Sequence, residues 1–221
     1  MQRPNRSVLR LGSLVFPNDL TMPEDLTITR GFPDALRSEV ALLYDAAFGP
    51  KLSIAIPNTH RRLKVLEQAF DPHHSFVALS GERVLGIAGF KTQSGAFTSG
   101  IGPALLRRHL GLLGSLRAVL VLALFERKLS PNELLMDGIA VSPSARGGGV
   151  GTTLLERLKQ FSADDGYQTI RLDVINTNIN ARRLYERLGF VPTKTSHFGY
   201  LRWLLGFSGA TTLQYRVKPT A

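Results

Sequence analysis

The alternation of hydrophobic and polar positions predicts a strand, two helices and a hairpin in the first half of the chain. From Leu26 the stretch LTITRGF alternates as a short strand, and PDALRSEVALLYDAAF follows with apolar residues at helical spacing. A second amphipathic stretch begins after Asn58, a residue type that caps helix N-termini. The segment SFVALSGERVLGIAGFKTQ predicts two strands joined by a turn at 80–83.

The second half of the chain alternates strands and helices. ELLMDGIAVSP and TIRLDVI are typical of strands, and each precedes a helical pattern, the last one closed by Gly189. The tail predicts one strand, an irregular apolar insertion and a final strand. This order predicts an α/β or α+β fold with helices on the faces of a sheet. We divide the chain into an N-terminal extension (1–25), a single domain (26–218) and a tail (219–221).

A leucine-rich insert occupies residues 100–128. Its longest uninterrupted apolar run, Ala118–Phe125, has eight residues, whereas a membrane-spanning helix needs about 18. We therefore predict one or two amphipathic helices packed on the domain. The sequence leaves open three functional alternatives, which are lining an acceptor pocket, forming a homodimer face, and contacting an anionic membrane surface. The peripheral membrane contact is not the favoured interpretation.

Composition excludes several classes of protein. The chain has no cysteine, which excludes a disulfide scaffold, a Cys-ligated zinc site and a cysteine nucleophile. A formal charge of +10 favours anionic partners such as nucleotides and phosphates. The basic residues are scattered and form no basic helix with interleaved aromatics, so we expect no nucleic-acid partner. The first twenty residues lack the apolar run of a signal peptide, so we expect a cytoplasmic protein.

A glycine-rich turn, RGGGVG at 146–151, lies between a predicted strand and a predicted helix. Glycines permit a sharp turn, and the unpaired N–H groups of a helix N-terminus favour a phosphate. Two better-known phosphate loops are excluded. The chain has no G-x-x-x-x-G-K-[ST] string, and Leu154 stands where G-x-G-x-x-G needs its third glycine. A tight turn with close helix packing is the alternative interpretation.

Two motifs together give the chain a family resemblance. The pattern [Q/R]-x-x-G-x-[G/A] is matched at 146–151, and N-x-x-A-x-x-L-Y-x-x-x-G-F is matched by Asn178, Ala181, Leu184, Tyr185, Gly189 and Phe190. With these residues the chain resembles the GNAT superfamily of acetyl-CoA-dependent N-acetyltransferases. The close match covers 134–192, and the order of elements agrees over 26–217. The insert at 100–128 departs from the family pattern and leaves the acceptor site without a matching residue.

The resemblance implies a mostly antiparallel mixed sheet that splays between its two middle strands, and a site for acetyl-CoA as co-substrate. It implies that the strand before the glycine loop pairs with the pantetheine arm and that the loop amides hold the pyrophosphate. Arg146 is also a candidate for the adenosine 3′-phosphate, and Asn178 either bonds the cofactor or caps its helix. The implied cofactor-binding residues are Ile139, Ala140, Val141, Arg146, Gly147, Gly148, Gly149, Val150, Gly151, Thr152 and Asn178.

The resemblance further implies direct attack of a primary amine on the thioester in a ternary complex, without a metal. Tyr185 matches the position that protonates the departing thiolate, and its ordinary pKa near 10 is close to that of an alkyl thiol. Asp137 is the first candidate for the general base, since strand alternation places it on the same face as Ile139 and Val141. A strand-edge carboxylate paired with an arginine is the alternative interpretation. Glu133 and His197 are weaker candidates, and a water relay that needs no single base is a further alternative.

Two other functions remain open at this point. The leucine-rich insert could shelter a longer acyl chain in an acyl-CoA acyltransferase. The domain could also bind acyl-CoA without turnover, as a sensor or interaction module.

Overall fold

The computed structural model describes residues 25–124, 126–197, 199 and 207–218. The strands are β1 (Leu26–Arg30), β2 (Ser75–Ser80), β3 (Arg83–Thr92), β4 (Gly95–Ala96), β5 (Glu133–Val141), β6 (Thr169–Ile175), β7 (Val191–His197) and β8 (Gly209–Arg216). The α-helices are α1 (Arg37–Leu52), α2 (Thr59–Ala69), α3 (Pro103–Ala123), α4 (Val150–Asp164) and α5 (Ile179–Arg187). The predicted tail, the predicted extension up to residue 24 and most of the apolar insertion between β7 and β8 lie outside the described residues.

One mixed sheet runs through the described part of the chain, in the order β1-β2-β3-β5-β6-β8-β7, with the short β4 beside β3. All neighbouring strands pair antiparallel except β5 and β6, which are parallel. A parallel pair needs a crossover connection, and α4 provides it. The predicted mixed, mostly antiparallel sheet is confirmed.

Helices cover both faces of this sheet. On one face α4 and α5 pack against apolar side chains of β2, β3, β5 and β6, among them Phe90, Leu134 and Leu172. On the other face α1 and α2 pack against alternate residues of β2, β3 and β5, among them Val77, Ile87 and Ala140. Because neighbouring strand residues point to opposite faces, one strand contributes to both cores. We name these the α4 face and the α1 face.

The predicted helix boundaries are confirmed at their caps. The Asn58 side chain accepts a hydrogen bond from the Arg61 N–H at 2.9 Å at the start of α2. Gly189 follows α5 with a φ of +83°, the left-handed conformation that ends helices. The hairpin turn at 80–83 also forms as predicted, with Ser80 opposite Arg83.

The leucine-rich insert is helical, as predicted. Its helix α3 is interrupted at Gly111, whose φ of +73° and ψ of −177° separate two helical segments. One side of α3 packs on α2 and the preceding loop, where Leu106 and Ala118 contact Ile56 and Val65. None of the helices in the described part of the chain combines the length and apolarity needed to cross a membrane.

Candidate active site

The two middle strands of the sheet separate along most of their length. β5 pairs with β6 only from Glu133 to Leu135, opposite Thr169 to Arg171. Beyond these three pairs β5 continues for six residues and β6 for four with no pairing between them. The C-terminal half of β5 therefore has one free edge, and the expected splay is present.

Two residues of β5 direct their backbone groups to this free edge. The Ser142 N–H donates to the Leu85 carbonyl of β3 at 2.8 Å, and backbone polar groups alternate between the two sides of a strand. Ala140 therefore directs its groups toward β3, while Ile139 and Val141 direct theirs into the splay. In agreement, Arg146 Nε reaches the Val141 carbonyl oxygen at 3.3 Å.

The free edge leads into the glycine-rich loop. Gly147 and Gly149 have φ values of +85° and +81°, which side chains other than glycine rarely adopt. The first backbone hydrogen bond of α4 runs from Thr153 to Gly149. Within the described residues no backbone acceptor is bonded to the N–H groups of Gly149, Val150, Gly151 and Thr152. These donors and the positive end of the helix dipole form an anion-binding arrangement.

Gly151 sits where α4, α5 and β5 meet. A Cβ at this position would lie 3.4 Å from Leu184 Cδ2 and 3.6 Å from Val141 Cγ2. The small residue thus brings the α4 N-terminus close to the free edge of β5. The family motif residue Leu184 contributes to the site through this packing.

Tyr185 lies on α5, and Asn178 lies directly before its first residue. The Asn178 side chain accepts a hydrogen bond from the Ala181 N–H at 3.2 Å, so it caps α5. Tyr185 is buried in the α4-face core against Phe190. Burial raises its pKa above the ordinary value, because the phenolate would lose its hydration. Its hydroxyl therefore stays protonated through the neutral range.

Asp137 is not on the face that alternation predicted. Gly89 of β3 pairs with Gly138 and Phe90 pairs with Met136, so Asp137 is the extra residue of a β-bulge. The bulge shifts the alternation by one residue. The Asp137 Oδ2 atom accepts a hydrogen bond from Thr98 Oγ1 at 2.8 Å on the α1 face. The prediction that Asp137 shares a face with Ile139 and Val141 was therefore wrong.

The surroundings of Asp137 belong to α1 and to the chain after β4. The Phe48 ring packs against Gly138, where an added Cβ would lie 2.4 Å from Cζ. The pKa of Tyr44 is raised well above its usual range, first by burial and then by the negative charge of Asp137. Burial lowers the pKa of Lys51 to about 8, although Asp137 and Asp173 oppose this shift. These groups flank the splay on the α1 face.

The two weaker candidates for the base lie in different surroundings. Glu133 is buried at the start of β5 and forms an ion pair with Arg171 at 3.1 Å, which also joins β5 to β6. Its other contact is the Ser130 N–H at 3.0 Å. His197 lies exposed at the end of β7. Glu133 thus has structural contacts that account for its burial.

Sequence reasoning missed several polar groups beside the splay. Asp173 lies on β6 two residues beyond the last pair with β5, and it forms an ion pair with Arg127 at 2.6 Å. It also accepts a hydrogen bond from Thr212 of β8. The alternation of β6 could have identified the face of Asp173, because Ile170, Leu172 and Val174 are buried on the other. Lys51 carries no comparable signal, since nothing local distinguishes it from a surface lysine.

Comparisons with known proteins agree with this geometry. The family model described as "Acetyltransferase (GNAT) family" matches residues 41–190. A mouse protein named probable N-acetyltransferase family 8 member 5 is 32% identical over 81 residues, 36% of each chain. The human N-acetyltransferase 8B is 34% identical over 70 residues, which cover 32% of this chain and 31% of the relative. The matched segments thus span about a third of these relatives.

Solved structures extend the likeness to almost the whole chain. An N-acetyltransferase from Staphylococcus aureus Mu50 superposes with a TM-score of 0.59 at 15% identity, covering 86% of this chain and 100% of that one. A GCN5-related N-acetyltransferase from Kribbella flavida gives a TM-score of 0.58 at 18% identity, covering 88% and 99%. At these identities the likeness concerns the fold. With the family match over 41–190, the splayed strands and the glycine loop, the chain belongs to the GNAT family of acetyltransferases.

Proposed function

We propose that this protein is an acetyl-CoA-dependent N-acetyltransferase in which a primary amine attacks the acetyl group directly in a ternary complex. The observation that carries the proposal is the free edge of β5, which leads into a loop of unpaired N–H donors at the start of α4. A free strand edge suits a ligand with amide groups, and the loop suits a diphosphate. Acetyl-CoA contains both in this order.

The residues present fit this co-substrate. Ile139 and Val141 offer backbone donors and acceptors to the pantetheine amides, and the N–H groups of residues 149–152 offer donors to the pyrophosphate. The exposed Arg146 can give up its single bond to Val141 for a phosphate, which binds a guanidinium more strongly than a carbonyl does. Bound acetyl-CoA would supply a thioester, which reacts with an amine without a covalent enzyme intermediate.

Acid and base would act from opposite faces of the splay. Asp137 lies on the α1 face, where it can accept the proton that the attacking amine loses, directly or through a water. Tyr185 belongs to the α4 face, where its protonated hydroxyl can donate to the sulfur as the C–S bond breaks. Since burial raises its pKa above that of a thiol, donation requires negative charge to develop on the sulfur first.

Binding of the co-substrate is tested by isothermal titration with acetyl-CoA. We expect Gly149→Glu to abolish binding, because it places a carboxylate among the loop donors. Gly166→Glu is the matched control, since Gly166 has a comparable φ of +75° with open space around it. Equal affinity in wild type and Gly149→Glu would place acetyl-CoA elsewhere and overturn the proposed site.

Turnover is tested separately by thiol release with a panel of amines and with acetyl-CoA and longer acyl-CoAs. The proposal requires thiol release that depends on the added amine, and mass spectrometry should show an acetylated amine. Binding of acetyl-CoA without amine-dependent thiol release across the panel would instead support the non-catalytic module.

A further inference from the structure

The second segment of α3 carries a row of exposed leucines that the proposed chemistry does not use. Five leucines between residues 112 and 124 are 58–82% exposed. At about 100° per residue they fall within an arc of about 120°. The buried Ser115 and Ala118 lie on the opposite side of the segment. We name this surface the leucine face; it consists of Leu112, Leu113, Leu116, Leu120 and Leu124.

Such a surface differs from the ordinary scatter of exposed apolar residues. Single exposed leucines are common on soluble proteins, whereas a contiguous apolar face marks a site of interaction with a protein or a membrane. The inner side of α3 is already packed on Ile56 and Val65, so the domain does not need the leucine face for its own core.

The charges around the leucine face favour an anionic partner. Pro103–Ala123 contains three arginines and one histidine but no aspartate or glutamate. Arg117 borders the leucine face next to Leu113 and Leu120 and is exposed, with one bond from Nη2 to the Ile54 carbonyl at 2.7 Å. Arg107 and Arg108 are exposed on the first segment.

We propose that the leucine face binds the surface of an anionic phospholipid bilayer, with the helix lying along the membrane. Leucines would enter the boundary between headgroups and acyl chains while the arginines contact lipid phosphates. A second copy of this chain fits less well, because each copy carries a formal charge of +10 and the two arginine-bearing faces would repel each other. The proposal is independent of the chemistry proposed for the splay.

The test is co-sedimentation of the full chain with phospholipid vesicles. One vesicle is pure phosphatidylcholine, and the other contains roughly a third phosphatidylglycerol. We expect binding to the anionic vesicle, weaker binding to the neutral one, and a decrease at high salt because salt screens the arginines. Absence of binding to the anionic vesicle overturns the proposal.

A matched pair of variants locates the contact. Leu116 on the leucine face and Leu42 on α1 are 58% and 57% exposed, so Leu116→Glu and Leu42→Glu remove equally exposed leucines. We expect Leu116→Glu to lower the vesicle partition coefficient by about tenfold or more, since one leucine side chain leaves the bilayer. Leu42→Glu should bind like wild type.

Two control measurements test whether the loss of vesicle binding is specific to the leucine face. Both variants should keep the wild-type melting temperature; if Leu116→Glu does not fold, Leu113→Gln takes its place. Equal loss in both variants, or no loss in Leu116→Glu, contradicts the proposal. Sedimentation velocity provides a further check, because a dimer that Leu116→Glu dissociates, without vesicle binding by wild type, would assign the face to a second copy.

Discussion

At the scale of single residues, the α4-face core holds the proposed acid, Tyr185. Replacing it by phenylalanine keeps the ring packed against Phe190 and removes only the hydroxyl. We expect kcat to fall by about 100-fold with little change in the KM for acetyl-CoA, since general acid catalysis contributes on this order. Steady-state thiol release measures both constants. Tyr215→Phe is the control, because its ring contacts the same Phe190. An unchanged kcat would remove Tyr185 from the mechanism.

The proposed base, Asp137, is tested by the pH dependence of its variant. An amine with a pKa near 10 is mostly protonated at pH 7 and needs a base, whereas near pH 10 half of it is already neutral. We therefore expect Asp137→Asn to lower kcat/KM by about 100-fold at pH 7 and progressively less as pH rises. A loss of the same size at every pH would indicate a structural role through the bond to Thr98.

Lys51 gives the folded protein a pH-dependent stability. Its pKa is lowered to about 8, mainly because burial disfavours the charged ammonium, whereas in the unfolded chain it is near 10.4. Between these values the unfolded state binds more protons, so this group adds stability as pH rises through the window. Urea unfolding measures the free energy of unfolding of wild type and of Lys51→Met. Between pH 7.5 and pH 10 we expect this free energy to fall for the variant relative to wild type. A pH-independent difference would contradict the lowered pKa.

Individual residues also show which features of the candidate site could be predicted from the sequence and which could not. The family motifs made Tyr185, Asn178 and the glycines candidates, because each has a fixed spacing along the chain. The face of Asp137 was mistaken, since a β-bulge depends on how β3 pairs with β5, and Gly138 gave only a weak local sign of it. Lys51 approaches Asp137 and Asp173 only through tertiary packing. The polar groups on the α1 face of the splay could therefore not be predicted from a single sequence.

At the scale of elements, α5 depends on its cap. Asn178→Ala should lower the free energy of unfolding by about 1 kcal/mol, because the Ala181 N–H loses its acceptor. Asn178→Ser should restore most of that stability, since serine caps equally well. Urea unfolding measures both variants.

The same pair separates the two roles expected for Asn178. Asn178→Ser keeps the cap but lacks the amide, so a weaker acetyl-CoA affinity in a fully stable Asn178→Ser protein would assign the side chain to the co-substrate. Equal affinity in wild type and Asn178→Ser would leave capping as its role.

Elements were also the level at which the sequence was most informative. The 3.6-residue and 2-residue periods of apolar positions depend on local geometry, which explains why the helices, the hairpin and the Asn58 cap formed where predicted. The break of α3 at Gly111 was less evident, because an isolated glycine inside a helix pattern can be tolerated.

At the scale of the whole molecule, we expect the excess of positive charge to strengthen binding of the proposed co-substrate. The formal charge of +10 attracts an anionic ligand such as acetyl-CoA from beyond contact distance. We expect the Kd for acetyl-CoA to rise as sodium chloride is added, since salt screens charges over about 10 Å at 0.1 M. Titration calorimetry at several salt concentrations measures this. A salt-independent Kd would mean that the scattered basic residues do not contribute.

The short pairing between β5 and β6 divides the sheet into two parts. β1 to β5 form one plate of the sheet and β6, β8 and β7 form another, and they are joined at one end by three residue pairs and the Arg171–Glu133 ion pair. The insert α3 lies in the connection from β4 to β5 and packs on α2. A connection of this kind can lengthen or change its surface without displacing the glycine loop. The architecture thus allows the surface of the insert to change while the proposed phosphate-binding loop keeps its geometry.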